Sequence, residues 1–358
     1  MAISSLANPD IKWETTATTD IGIDAAFLNN KITLTADYFY KKTSDILLQL
    51  PIPGIVGIST EPYVNAASVK NEGWEFALGY NDQWGDWKFG ANVNFSKVKN
   101  EILDLHGKDS WITDWSINLE GHPINSYYGY VADGLYRTQA EADEANEKNS
   151  VGGGALKLGD VRYKDVSGPE GKPDGVVDTY DRTVIGNALP KCYGGITNTF
   201  NYKGIDFSFM LQFNYGNDIY NATRLYATQT NTQRRNQLAE VADRWSPTNA
   251  SNKVPSYNGY VVNDVYSRFV EDGSFLRLKN ITLGYTLPHK WTRSFHASKL
   301  RIYATGQNLF CLNNYSGYDP EVSTASKSPM TPGLDWGAYP KSRVFTFGID
   351  LQLSLIHI

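Results

Sequence analysis

The chain has no run of about 20 mostly apolar residues, the length an α-helical membrane span requires. It has two cysteines, Cys192 and Cys311, with no CxxC pair and no metal-type spacing. Two unrelated thiols are the simpler reading, and a long-range pairing stays open. Among its five histidines no HExxH occurs, and no GxSxG is present. Gly152-Gly153-Gly154 lacks the Lys-Ser/Thr of a phosphate loop and reads as a flexible linker. Carboxylates are plentiful, but nothing marks two of them as a glycosidase pair. The sequence therefore points away from an enzyme. A formal net charge of -5 argues against a nucleic-acid partner. The opening MAISSLANPDIKWE has no basic region, apolar core or cleavage site, so no export signal is visible. Mean hydropathy is -0.40, a soluble-looking value. That inference fails for β-barrels, whose strands hide a lipid face in every second residue.

What is abundant is aromatic: 23 Tyr against 3 Met. Such residues fit a pleated surface. Period-two alternation recurs in nine segments. In Ile11–Phe27 the apolar positions are Ile21, Ile23, Ala25 and Phe27. Ile32–Tyr40 follows after a turn at Leu28-Asn29-Asn30-Lys31. Trp74–Tyr80 and Trp87–Phe95 flank Gln83-Trp84-Gly85-Asp86, and Gly194–Tyr202 and Ile205–Tyr215 flank Lys203-Gly204. Ile281–Leu287, Leu300–Ala304 and Phe345–Leu351 complete the set. The connections alternate between short (28–31, 83–86, 203–204, 288–298) and long (43–67, 106–190, 216–270, 311–342). Outer-membrane barrels have this habit, with short periplasmic turns and long extracellular loops. Trp84, Trp87, Tyr80, Tyr202 and Trp291 gather near the short turns, where an interfacial girdle would sit. A soluble sandwich also alternates, so a β-rich carbohydrate-binding module is the alternative. Arg277 and Lys279 share parity with Ile281 and Leu283; they lie beyond the membrane plane, or a bulge re-aims them.

Five stretches resemble, in order, the C-terminal part of the SusC/RagA family of TonB-dependent outer-membrane proteins. They are Asn71-Glu72-Gly73-Trp74-Glu75, Gly159–Asp165 with Asp178–Asn187, Gly273–Pro288, Tyr303–Phe310 and Gly317–Glu321. Pro9–Glu14 resembles the family's entry into a late barrel strand. The resemblance implies an all-β fold: an incomplete transmembrane antiparallel β-barrel, the last nine or so strands of a plugged 22-strand barrel, with long extracellular loops. Residues 1–352 would be this C-terminal portion. The plug, the TonB box and the export signal would lie in a missing N-terminal part. Residues 353–358, LSLIHI, match the translation of a sequencing-library transposon end, CTGTCTCTTATACACATC. They are expected to be adapter read-through.

The implied function is uptake of oligosaccharides, or of peptides, across the cell outer membrane. The implied partners are outer-membrane lipid, a SusD-like surface lipoprotein, the TonB complex and the glycan or peptide itself. Loop aromatics that could stack on sugars or pack on peptides are Trp111, Trp115, Tyr128, Tyr130, Tyr220, Tyr257, Tyr315 and Trp336. Packing between loops is the plainer role for any one of them. Asp165, Ser167, Asp174, Asp178 and Asp181 resemble the family's calcium-loop-like stretch. An insertion at Pro169–Pro173 widens the ligand spacing, and a solvated acidic loop competes with calcium.

Overall fold

In a bilayer the backbone has no water to bond, so strands must pair along their whole length. All nine alternating segments do pair. They are β1 (Thr15–Phe27), β2 (Ile32–Gln49), β3 (Tyr63–Trp84), β4 (Trp87–Asp104), β5 (Cys192–Tyr202), β6 (Ile205–Tyr215), β7 (Phe275–Thr286), β8 (Ala297–Asn313) and β9 (Val344–Leu353). They form one antiparallel sheet in chain order. The computed structural model describes residues 8–49, 55, 62–107, 110–113, 115–148, 150–151, 156–229, 236–251, 253–257, 259, 265–323 and 333–353. The 152–154 linker and residues 354–358 lie outside these. Leu353 is the last residue of β9 and pairs with Ala297.

Directly opposed residues share a face, so the ladders reveal what each face is made of. One row runs Ile23, Ala36, Phe76, Phe95, Gly194, Phe213, Leu276, Leu312. Another runs Phe207, Leu283, Ala304, Phe347. On the opposite face Asn81, Gly90, Thr199, Ser208, Thr282, Thr305 and Thr346 form a polar row. The apolar face stays uncovered: Phe347 is 82% exposed and Ile349 68%. No second large sheet packs on it among the described residues, which removes the sandwich.

The short turns carry the chemistry that tight turns need. Lys203 and Gly204 both have positive φ, the signature of a two-residue type I′ hairpin. Trp84 and Trp87 are half exposed on either side of the Gly85-Asp86 turn, and Trp87 stacks on Tyr202 with centroids 4.1 Å apart. The long-loop end differs from expectation in one respect. β2 runs on to Gln49 and β3 begins at Tyr63, so the first long connection is far shorter than 43–67. A register shift between Thr43 and Ile46 breaks the alternation there and hides these strand ends from a periodicity reading.

A bulge also settles the place of Arg277 and Lys279. The β6–β7 register skips Lys279 between Leu278 and Asn280. Parity therefore reverses, placing Arg277 opposite Gln212 on the polar face while Ile281 and Leu283 keep the apolar one. Arg277 is buried there against Asp319 at 2.5 Å and Glu321 at 2.9 Å. Lys279 and Lys341 reach Glu321 at 2.9 and 2.8 Å. Burial pushes the Asp319 carboxyl up, but the Glu321 N–H and the Arg277 guanidinium outweigh it and leave it below its ordinary 3.8. Burial opposes ionisation of Glu321 too, and Lys341 and Lys279 overcome it. This network fastens the connection after β8 to the wall.

Three outcomes follow for this sheet in a bilayer. Phe347→Arg should cost about 2–4 kcal/mol in urea unfolding, whereas Thr346→Arg on the polar face should cost far less. Arg277→Ala leaves Asp319 buried without its guanidinium and should cost about 3–5 kcal/mol. Hydrogen exchange at the Glu321 and Lys341 amides, which both donate to Asp319, should report it as lost protection. Because both carboxyls are depressed, their stabilisation is present above the ordinary carboxylate range. Protection should fall as pH drops below it.

Candidate functional site: the loop assembly and the cavity beneath it

The long connections fold together instead of projecting separately. Their shared core contains Tyr127, Tyr130, Val161, Tyr220, Tyr266, Phe269 and Leu334, all buried. These come from three segments: the one between β4 and β5, the one between β6 and β7, and the one between β8 and β9. Short ladders join them. Asp218–Asn221 pairs antiparallel with Val270–Asp272 and parallel with Leu334–Asp335. Ser126–Gly129 lies between Thr183–Gly186 and Ser116–Leu119. Gly129 is needed for this packing, since a Cβ there would sit 1.9 Å from the Val265 carbonyl oxygen.

Helix α1 (Gln139–Glu147) starts in a capping box, with Thr138 accepting from the Glu141 N–H and Glu141 accepting from the Thr138 N–H. Helix α2 (Ala222–Thr228) is capped by Asn221 and carries Arg224. Arg224 makes a two-pronged pair with Glu240, each contact 2.9 Å, and reaches Glu271 at 3.2 Å. Glu271 also accepts from the Ser316 N–H and hydroxyl, tying the third segment to the second. Arg224 and its partners were not visible in the sequence, because they stand 16 and 47 residues apart with no pattern linking them.

The expected loop aromatics divide by burial. Tyr130, Tyr220 and Tyr315 are buried in the loop core. The Tyr315 hydroxyl donates to Asp335. Trp115, Tyr220 and Trp336 are brought together: Trp115 lies 5.0 Å from Tyr220 and edge-on to Trp336 at 5.7 Å. Tyr226, 4.8 Å from Trp336, extends this cluster. Half of Trp336 remains open to solvent. Tyr128 lies beneath the Arg182 guanidinium, 4.7 Å from it. Tyr257 stands apart and exposed.

The carboxylates of the acidic stretch accept from backbone N–H groups. Asp181 is fully buried and accepts from the N–H groups of Val166, Ser167 and Asp178. Asp165 accepts from Gly175, Asp174 from Val176 and Asp178 from Tyr180. These carboxylates hold the turn by backbone bonds, and Ser167 contributes its own N–H to that set. Among the described residues no three His, Cys, Asp or Glu converge as a metal site.

Trp111 lines a cavity. This cavity, about 350 Å³, opens between the long ends of β2–β4 and Leu105, Trp111, Asn118, Ile124 and Asn125. Its floor is aliphatic, from Ile46, Leu48, Val69, Ile102 and Ile124. Four asparagines edge it. Asn100 donates to Asn71 and accepts from the Ile124 N–H; Asn118 and Asn125 bond each other. Val69, Asn71, Asn100 and Ile102 lie on the polar face of the sheet. A signal did exist in the sequence: past Asn71 and Asn100 that face turns apolar.

Residues 2–184 match the family model described as TonB dependent receptor-like, beta-barrel. TonB-dependent receptor P26 of Formosa agariphila is 33% identical over 362 residues, which cover 96% of this chain and 35% of that protein. TonB-dependent receptor SusC of Bacteroides thetaiotaomicron is 28% identical, covering 96% and 32%. The RagAB peptide transporter structure superposes with a TM-score of 0.81 at 25% identity, covering 98% of this chain and 36% of that one. The chain thus spans about a third of the length of the curated relatives it matches. Nine antiparallel strands in chain order, a lipid-type apolar face and the family match agree: the chain belongs to the TonB-dependent receptor β-barrel family of the outer membrane.

Proposed function

We propose that the chain is the C-terminal part of the barrel wall of a SusC/RagA-type transporter that imports oligosaccharides or peptides. One observation carries this reading. A wall that is apolar outside and polar inside bears, at its long-loop end, loops fused into one folded assembly. Such an arrangement gives a solute a polar path along the wall and a shaped entrance above it. The similarity to SusC and to the RagAB transporter supports the class of machine. The rest of the transporter would supply the plug and the TonB contact. A SusD-like surface lipoprotein would close on the loop assembly, where Trp336, Tyr318 and Tyr339 present exposed rings.

The test uses the full-length receptor in its own outer membrane. Uptake of labelled oligosaccharides and peptides should occur with one of the two classes and stop when a protonophore collapses the inner-membrane gradient. Uptake that continues unchanged would mean a passive pore and would overturn the reading.

A further inference from the structure

We infer that the cavity edged by Asn71 and Trp111 is a substrate subsite for an apolar amino-acid side chain, which makes the transported substrate a peptide. The inference rests on the transport reading and names its substrate class. Three observations carry it. The floor is aliphatic, whereas a sugar ring presents hydroxyls that an aliphatic floor would strand without partners. A volume of about 350 Å³ admits one large side chain with a short length of backbone. The polar groups sit at the edge, where peptide backbone would lie. The Asn71 amide accepts from Asn100 through its oxygen, which leaves its Nδ2 hydrogens free to donate to a peptide carbonyl. Glu14 accepts the Leu47 N–H with one carboxylate oxygen and keeps the other for a peptide N–H or ammonium. The same carboxylate repels an acidic side chain.

The site is built rigidly. The segment opposite the wall is bonded to it through Ile102 and His122, Gly121 and Ile102, and Ile124 and Asn100, at 2.8–2.9 Å. The cavity also faces the polar side of the sheet, on the route that an incoming solute takes.

The experiment incubates the purified full-length receptor with a tryptic digest of casein and, separately, with a panel of glucan oligosaccharides. Bound species are identified by mass spectrometry and their affinities measured by calorimetry. Peptides with Leu, Ile, Val or Phe at one register should be retained, about 10–100-fold more tightly than the same peptides with Ala there. Ala67 also lines this floor, and Ala67→Phe, which fills it, should abolish that preference while heat-modifiable gel migration shows the barrel intact. Asn71→Ala should weaken the same peptides about two- to tenfold, the worth of one hydrogen bond. A preference that survives Ala67→Phe overturns the subsite. Retention of oligosaccharides with no peptide overturns the peptide assignment and leaves transport standing. Retention of neither class overturns both.

Discussion

Everything in this chain follows from the cost of an unpaired backbone polar group where no water can reach it. That cost forces each segment crossing the membrane into a fully bonded ladder, and a ladder of extended strands has only two faces. One must suit hydrocarbon and the other must suit the lumen. The alternation of Ile205, Phe207, Phe209, Leu211 and Phe213 with Asp206, Ser208, Gln212 and Asn214 is the direct result. The sheet is therefore specified one residue at a time, and a one-residue slip would turn every side chain to the wrong medium.

This explains why the wall could be read from the sequence and the loops could not. All nine strands were legible because period two survives wherever both faces meet a defined environment. It failed at three kinds of place. The bulges at Lys279 and near Thr43 reset parity. The ends of β2–β4 rise past the two-medium zone, so Ile46, Val69 and Ile102 sit on the face that is polar lower down. The loop assembly has no period at all. Its ring contacts join Tyr127 to Tyr220 and Tyr163 to Tyr266, residues about a hundred apart. The loops are rich in aromatic residues. Burial alone then divided them into core, as for Tyr220, and cavity edge, as for Trp111.

Polar side chains in the loops mostly replace regular secondary structure. Asp181, Glu141, Asp178 and Asn118 each hold backbone N–H groups that no ladder pairs. The acidic stretch around Asp165 looks like a cation loop in sequence for that reason. Carboxylates suit either a hard ion or a set of converging N–H donors, and the side chains here meet the donors. The buried charges at the wall, Arg277 with Asp319 and Glu321, do something different. They fix where the last long connection leaves the rim.

The loop core draws on three connections at once, and that has an evolutionary consequence. Tyr127, Tyr220 and Leu334 are neighbours in space but belong to separate excursions of the chain. The cluster they share belongs to none of these excursions alone. A lineage adapting to a new nutrient cannot trade one loop for another without unsettling the remaining two. Such receptors should diversify by exchanging the entire cap, or by altering residues that face its cavities, while the wall below is inherited with little change.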